Sequence, residues 1–184
     1  MIPPKGGRHV RCRPPFAGDN MCGMAIVVVM GVTGSGKSTV GVALAERMKV
    51  PFADADDFHS AENVAKMSSG VPLDDTDREP WLRAISHWLA EHQTEGAVVT
   101  CSALKRRYRD ILREEAPHVT FLHLDGDKET VRQRVSGRAG HFMPESLVQS
   151  QFDALEPLQD DERGIVVNFA RPVDDIIDEV ASDL

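Results

Sequence analysis

The chain has 184 residues, of which 41% are hydrophobic and 27% are charged, as is typical of one globular domain. Its formal net charge of -8 argues against a nucleic-acid partner, because the average field of the protein repels polyanions. Cys12, Cys22 and Cys101 form neither a metal-binding spacing nor an even set for disulfides, which favours a reducing, cytoplasmic location. No apolar stretch is long enough to span a membrane, so we expect no membrane association.

Residues 1–23 differ from the rest of the chain, because they are rich in proline, glycine and basic residues and contain no apolar run. This composition predicts a disordered tail and is not that of a secretory signal. Met21 and Met24 stand just before the first apolar segment, so an over-extended start is the alternative explanation. We therefore expect a single folded domain over residues 24–184.

From residue 25 onward, apolar segments of strand length alternate with segments of helical periodicity. The predicted strands occupy residues 25–30, 51–54, 97–101, 119–124 and 165–167. The predicted helices lie near residues 40–48, 60–69, 80–89, 104–112, 131–135, 144–155 and 176–180. We expect Pro80 in the first turn of its helix, Trp81 and Trp88 in the core, and Cys101 to be a buried strand residue. The alternation predicts an α/β fold with a parallel five-stranded sheet flanked by helices.

The segment after the first strand reads Gly-Val-Thr-Gly-Ser-Gly-Lys-Ser-Thr, which fits the phosphate-binding pattern of a glycine, four residues, then Gly-Lys-Ser/Thr. Backbone N–H groups and a helix N-terminus would surround the phosphates. Lys37 is expected to reach the β- and γ-phosphates, and the Ser38 hydroxyl to bind Mg²⁺. The segment predicts binding of a nucleoside triphosphate with Mg²⁺. Its assigned nucleotide-binding residues are Gly31, Val32, Thr33, Gly34, Ser35, Gly36, Lys37, Ser38 and Thr39.

Two carboxylates, Asp54 and Asp56, alternate where the second strand ends. Ligands of parallel α/β folds bind at the carboxyl ends of the strands, where a kinase needs carboxylates for Mg²⁺ and for the attacking hydroxyl. Capping of the next helix explains one of these residues but not both. If the chain stays extended there, the strand period of two points both side chains the same way.

Basic residues follow the third and fourth strands. Lys105 and Arg109 could neutralise charge on the transferred group, although a solvated helix face is the alternative. Arg134 and Arg138 lie four residues apart, ahead of a glycine-bearing loop with His141. This arrangement favours a lid that places arginines on phosphate, and a salt-bridged surface helix is the alternative.

Several specific blocks accompany the P-loop, namely Asp54-x-Asp56-x-x-His59, Asn63-x-x-Lys66-Met67-x-x-Gly70-x-Pro72-Leu73, Asp77-Arg78-x-Pro80-Trp81-Leu82, Cys101-Ser102-Ala103-Leu104-Lys105-x-x-Tyr108-Arg109-Asp110, Arg138-x-Gly140-His141-Phe142 and Ser150-Gln151-Phe152-x-x-Leu155-Glu156. With these blocks the chain resembles the bacterial-type gluconokinases, small P-loop kinases, over about residues 25–180. Two departures are visible, because Ala55 replaces the usual glycine between the aspartates and Ser60 replaces the usual proline after the histidine. Neither change removes a catalytic group.

The resemblance implies a three-layer P-loop NTPase fold, nucleoside-monophosphate-kinase-like, with acceptor-covering helices over about residues 60–93 and a lid over about 137–143. It implies ATP as phosphoryl donor, Mg²⁺ held by Ser38 and Asp54, D-gluconate phosphorylated at its 6-hydroxyl, and a homodimer. The implied catalytic residues are Lys37, Asp54, Asp56, Arg134 and Arg138. The implied substrate contacts are Asp56, His59, Lys66, Arg78, Lys105, Arg109 and His141.

Two alternatives remain at this stage. Another small-acceptor kinase of the same fold, such as a shikimate kinase, would share the P-loop and the paired aspartates but not the blocks at residues 101–105 and 140–142. A nucleotide switch without an acceptor is the other alternative. The chain carries no Asn-Lys-x-Asp motif of the kind that reads guanine.

Deletion of residues 1–22 is expected to change neither the melting temperature nor the turnover number, because the segment has no apolar periodicity with which to pack on the domain. Calorimetry and a kinase assay of the truncated and full-length chains test this expectation. A clear fall in melting temperature on truncation would contradict it.

Overall fold

The computed structural model describes residues 24–136 and 145–184. Five parallel strands form one sheet in the order β2-β3-β1-β4-β5, with helices on both faces, which confirms the predicted fold class. The strands are β1 Ile26–Met30, β2 Phe52–Asp54, β3 Ala97–Thr100, β4 Thr120–Asp125 and β5 Gly164–Asn168. The helices are α1 Lys37–Met48, α2 Ala61–Ser68, α3 Asp75–Glu91, α4 Arg106–Leu112, α5 Lys128–Ser136, α6 Glu145–Ala154 and α7 Val173–Asp183, and a 3₁₀ turn occupies Ala55–Phe58.

The central strand β1 is buried along its whole length, as expected for a parallel strand covered on both faces. Val28 lies opposite Val99 of β3 on one side and Phe121 of β4 on the other. Successive β1 side chains enter different cores, because strand side chains alternate between faces. Val27 packs in the core formed with α1, α5, α6 and α7, whereas Val28 packs in the core formed with α3 and α4.

Helix α3 begins earlier than the sequence predicted. The Asp74 side chain accepts hydrogen bonds from the backbone N–H groups of Thr76 and Asp77, both at 2.9 Å, and the Asp77 side chain accepts one from the Asp74 N–H at 2.8 Å. This reciprocal capping box fixes the helix start at Asp75. The prediction that Pro80 lies in the first turn was therefore wrong, because the proline lies inside the helix.

Trp81 and Cys101 are buried as predicted, although β3 ends at Thr100 and Cys101 is the residue that follows it. Trp88 is half-buried and packs edge-to-face on Phe58 with ring centroids 6.0 Å apart. Burial raises the pKa of the Cys101 thiol to about 12, so this cysteine is not an activated nucleophile. Within residues 24–136 and 145–184, no helix combines the length and the apolar character needed to cross a membrane.

Gly41→Ala is expected to destabilise the protein, although alanine is the better helix former. A Cβ atom at this position of α1 would lie 2.7 Å from Thr100 Cγ2 and 2.9 Å from a ring carbon of Phe52. Overpacking of this kind costs about 1–3 kcal/mol, which urea unfolding would measure. Val42→Ala, at the exposed neighbouring position, is the control and should change stability little. A Gly41→Ala protein as stable as the wild type would contradict this account of the packing.

Candidate active site

A cavity of about 340 Å³ opens at the carboxyl edge of the sheet, where the loops after β1, β2 and β3 meet. Its position agrees with the rule that ligands of parallel α/β folds bind outside this edge. The cavity is lined by Thr33, Gly34, Gly36, Lys37, Ser38, Thr39, Asp54, Ala55, Asp56, Trp81, Thr100, Cys101, Ser102 and Gln151.

The loop after β1 has the backbone geometry of a phosphate cradle. Gly36 is the N-cap of α1 and has a φ angle of 98°, in the region that favours glycine. Among the described residues outside its own loop and helix, Arg134 Nη1 comes nearest to the place of a Gly36 Cβ, at 3.9 Å. Lys37 Nζ donates to the Val32 carbonyl oxygen at 3.0 Å, which brings the ammonium group to the β1 end of the loop. The helix N-terminus and the lysine together offer a site for anionic oxygens.

Ser38 and Asp54 supply two oxygen donors from different elements at one point of the cavity. The Ser38 hydroxyl, on the first turn of α1, lies 3.4 Å from Asp54 Oδ2 at the end of β2. A hydroxyl and a carboxylate are hard oxygen ligands, and Mg²⁺ in kinases takes one or two such ligands together with phosphate oxygens and water. These residues therefore fit the predicted metal, which they would hold together with the phosphates.

Asp54 and Asp56 do not extend from the same stretch of strand. A 3₁₀ turn begins at Ala55, and the Asp56 N–H donates to Asp54 Oδ1 at 3.2 Å. The extended backbone therefore ends at Asp54, and the expected parallel alignment of the two carboxylates does not apply. Asp54 faces Ser38, whereas Asp56 is exposed at the cavity.

His59 and Trp81 form an aromatic wall beside Asp56. The two rings stack with centroids 4.5 Å apart, and Trp81 Nε1 donates to the Ala55 carbonyl oxygen at 2.7 Å. The His59 side chain is only 6% exposed, and its Nε2 lies 4.0 Å from Asp56 Oδ1. Burial lowers the pKa of His59 below its ordinary value, the Asp56 charge opposes this shift, and the nearby Arg78 reinforces it. The imidazole is therefore neutral at neutral pH and stands beside the carboxylate.

Three basic side chains lie close to the Tyr108 ring between α3 and α4. Asp75 accepts hydrogen bonds from Lys105 Nζ at 3.2 Å, from Arg107 Nη1 at 2.6 Å and from the Tyr108 hydroxyl. The Arg78 guanidinium lies over the Tyr108 ring, 5.9 Å from its centroid. The hydrogen bond from Tyr108, followed by that from Lys105, lowers the pKa of Asp75. We call these five residues the Tyr108 cluster, in which Lys105 and Arg107 contact the single carboxylate and Arg78 lies over the Tyr108 ring.

Lys66 links α2 to the start of α3. Its ammonium group donates to Asp77 and lies 3.9 Å from Asp74, and the Asn63 side chain donates to the Asp77 carbonyl oxygen at 3.0 Å. The hydrogen bond to Asp77 raises the pKa of Lys66. Lys66 does not line the cavity, so its contact with a substrate stays a prediction.

Arg109 was predicted as a substrate contact, and the structure contradicts this. The side chain is fully buried, and its Nε and Nη2 donate to the two carboxylate oxygens of Glu162 at 2.7 and 3.0 Å. The guanidinium also donates to four backbone carbonyl oxygens, those of Ala103, Leu104, Glu156 and Pro157. A group surrounded in this way cannot meet a ligand. Its function is structural, because it joins the loop after β3 to the segment that follows α6.

Arg134 lies at the outer side of the P-loop. Its Nη1 donates to the Ser35 carbonyl oxygen at 3.4 Å and its Nη2 to the Phe169 carbonyl oxygen at 3.0 Å, while its guanidinium carbon lies 5.0 Å from the centroid of the Phe169 ring. Arg138, His141 and the lid expected at about residues 137–143 lie outside the described residues, as do residues 1–23.

Gln151 lines the cavity, although its sequence position predicted no function for it. Its Oε1 accepts a hydrogen bond from the Thr33 N–H at 2.7 Å, and its Nε2 donates to the Thr33 hydroxyl at 2.9 Å. The only signal in the sequence was the block Ser150-Gln151-Phe152, which marked the position but not its partner. Ser102 also lines the cavity, and its carbonyl oxygen accepts a hydrogen bond from the Gly31 N–H at 3.3 Å.

Comparisons with known proteins agree with this geometry. A family model described as "Shikimate kinase" matches residues 33–182. The thermosensitive gluconokinase of Escherichia coli (strain K12) is 50% identical over 76% of this chain and 75% of that protein, and the gluconokinase of Gluconobacter oxydans (strain 621H) is 45% identical over 84% and 88%. The crystal structure of a gluconokinase from Sinorhizobium meliloti 1021 is 47% identical, with a TM-score of 0.78, over 86% of this chain and 90% of that chain.

Arg109→Met is expected to destabilise the protein by about 3–5 kcal/mol, because the buried Glu162 carboxylate loses the cation that binds both of its oxygens. The double variant Arg109→Met/Glu162→Leu should recover part of this loss, because it removes the buried carboxylate as well. Arg83→Met is the control, since Arg83 pairs with Glu79 and Glu114 at the exposed surface, where ion pairs contribute about 0–1 kcal/mol. Urea unfolding measures all three variants. Equal losses for Arg83→Met and Arg109→Met would contradict the structural assignment of Arg109.

Proposed function

We propose that this chain, which belongs to the gluconokinase family, transfers the γ-phosphoryl group of ATP to the 6-hydroxyl of D-gluconate and releases ADP and 6-phospho-D-gluconate. The observation that best supports the proposal is the meeting of four groups in one cavity. Lys37 and Ser38 come from the start of α1, Asp54 from the end of β2, and Asp56 from the 3₁₀ turn that follows. A phosphoryl-transfer enzyme needs this combination of cation, hydroxyl and carboxylates.

The P-loop would hold the triphosphate through its backbone N–H groups and the N-terminus of α1. Lys37 would neutralise charge that develops on the transferred group, and Arg134 would add a second cation from α5. Ser38 and Asp54 would hold Mg²⁺. When bound, this ion would screen the charge of the β- and γ-phosphates and so favour attack by a neutral hydroxyl.

Asp56 would orient the 6-hydroxyl of gluconate and accept its proton. As the hydroxyl oxygen forms its bond to the γ-phosphorus, the bond from that phosphorus to the bridging oxygen breaks, and ADP carries away the electron pair. His59 is neutral and lies 4.0 Å from Asp56, so it leaves the negative charge of this carboxylate uncompensated. A carboxylate that is not neutralised by a cation is the better hydrogen-bond acceptor for an entering hydroxyl.

The Tyr108 cluster would bind the carboxylate of gluconate. Its three cations outnumber its single carboxylate, Asp75, so an added anion is electrostatically favoured. Arg78 connects this cluster to the aromatic wall, because it lies over Tyr108 and is close enough to His59 to lower its pKa. Lys66 and His141 remain proposed contacts. A homodimer is likewise proposed from the family resemblance, and a cytoplasmic location is proposed from the cysteine content.

One assay tests the function directly. ADP release is measured with ATP and Mg²⁺ and a panel of acceptors that includes D-gluconate, other sugar acids and shikimate, with an acceptor-free control. Strong stimulation by gluconate is expected. Stimulation by shikimate instead would favour the shikimate kinase alternative, and slow hydrolysis without stimulation by any acceptor would favour a nucleotide switch.

Changing each of the two aspartates to asparagine is expected to have a different effect on catalysis and on ligand binding. Asp54→Asn should weaken the response to Mg²⁺ and slow both transfer and residual ATP hydrolysis. Asp56→Asn should slow transfer to gluconate by about 10²–10⁴-fold, the usual size of a general-base contribution, and leave MgATP binding nearly unchanged. Separate titrations of MgATP and gluconate against each folded variant measure these effects. The assignment would be falsified if Asp56→Asn lost MgATP affinity as severely as Asp54→Asn.

A further inference from the structure

Gln151 forms a two-point contact with the P-loop across a long sequence separation. Its side chain both accepts from the Thr33 N–H at 2.7 Å and donates to the Thr33 hydroxyl at 2.9 Å. The chemistry fixes the orientation of the amide, because a backbone N–H can only donate and must face Oε1. The Nε2 group therefore lies beside the Thr33 hydroxyl.

The helix that carries Gln151 is anchored in the core. Val148 is buried in the core that contains β1 and α1, and Phe152 and Leu155 pack against it. The N–H of Glu156, just beyond α6, donates to the Leu104 carbonyl oxygen at 2.8 Å. Gln151 thus reaches the P-loop from a fixed support, as a group that positions or reads a ligand should.

Thr33 lies at the end of the P-loop that would hold the terminal phosphate. Lys37 Nζ bonds to the carbonyl oxygen of Val32, the residue just before Thr33. A P-loop lysine reaches the β- and γ-phosphates, so its ammonium group marks where these lie. The opposite end of the loop, at Gly36 and the first turn of α1, would hold the phosphates nearer the nucleoside.

We propose that the Gln151 side chain donates a hydrogen bond to the γ-phosphate of ATP and so favours binding of ATP over ADP in this site. The Nε2 group carries two hydrogens, and the Thr33 hydroxyl accepts one of them. The second would donate to an oxygen of the γ-phosphoryl group, while Oε1 continues to hold the Thr33 N–H. This inference rests on the proposed function, because it takes ATP as the substrate.

A purely structural contact between α6 and the P-loop is the competing explanation, and Gln151→Glu separates the two. The glutamate side chain has the same size, and one carboxylate oxygen can still accept from the Thr33 N–H. The Thr33 hydroxyl can rotate and donate to the other oxygen. The link to the loop is thus kept, while the donor to phosphate is replaced by a negative charge.

The experiment compares the dissociation constants of MgATP and MgADP by calorimetry for the wild type, Gln151→Glu and Gln149→Glu. Gln149→Glu is the matched control, because it adds the same charge two residues away on the exposed face of α6, where Gln149 contacts Lys128 and Asp153. We expect Gln151→Glu to weaken MgATP binding by about tenfold or more, from repulsion between like charges in contact. MgADP binding should change several-fold less, and the control should change neither.

Equal weakening of MgATP and MgADP, or no change in either, would overturn the proposal and leave a structural contact. Gln151→Leu, which abolishes both hydrogen bonds with Thr33, provides a second readout. Its ratio of ATP to ADP affinity should fall toward one, and an unchanged ratio would count against the proposal. A wild type that binds MgATP but phosphorylates no sugar acid would refute the proposed function alone, since the comparison of ATP with ADP affinity does not use an acceptor.

Discussion

The burial of β1 on both faces is the constraint on which the rest of the structure depends. A strand with neighbours on both sides and helices above and below can meet a ligand only at its ends, and ligands of parallel α/β sheets bind at the carboxyl end. The chain leaves this end at Gly31, whose N–H is tied to the Ser102 carbonyl oxygen of the loop after β3. The P-loop and the loop after β3 are therefore positioned together, and every group of the proposed mechanism is placed relative to them.

The buried pair of Arg109 and Glu162 is a second constraint, and it acts at a distance from the chemistry. Ala103 has a φ angle of 42°, which is unfavourable for a residue with a side chain. Its carbonyl oxygen accepts from Arg109, whose guanidinium also holds the carbonyl oxygens of residues beyond α6. One arginine thus fixes both the loop that leads to Lys105 and the segment that supports Gln151. Because burial of a charge is costly unless it is paired, loss of one partner alone is expected to destabilise both segments.

The order of elements was predictable, because alternating strand and helix periodicity depends only on which residues are apolar. The P-loop and the Ser38–Asp54 pair were also predictable, since the chemistry demands residue types in a fixed local pattern. Arg109 could not be assigned in this way. Its position after a strand end is the same as that of a ligand-binding cation, and only the packing of α4 shows that it points inward. Gln151 was missed because a neutral amide carries no charge signal and its partner, Thr33, is far away in the sequence.

The two aspartates show why local geometry decides between identical groups. The alternation of Asp54 and Asp56 indicated a shared function at a strand end, and a continued strand would have aimed both carboxylates alike. The 3₁₀ turn from Ala55 to Phe58 separates them instead, because Asp54 itself accepts the Asp56 N–H and ends the strand. Asp54 is held between that N–H and the Ser38 hydroxyl, whereas Asp56 stays exposed beside the neutral His59. A carboxylate fixed among donors is prepared to hold a metal with little movement, and an exposed one is free to meet a hydroxyl. In the proposed mechanism the turn, rather than the residue type, would therefore divide the chemistry between the two aspartates.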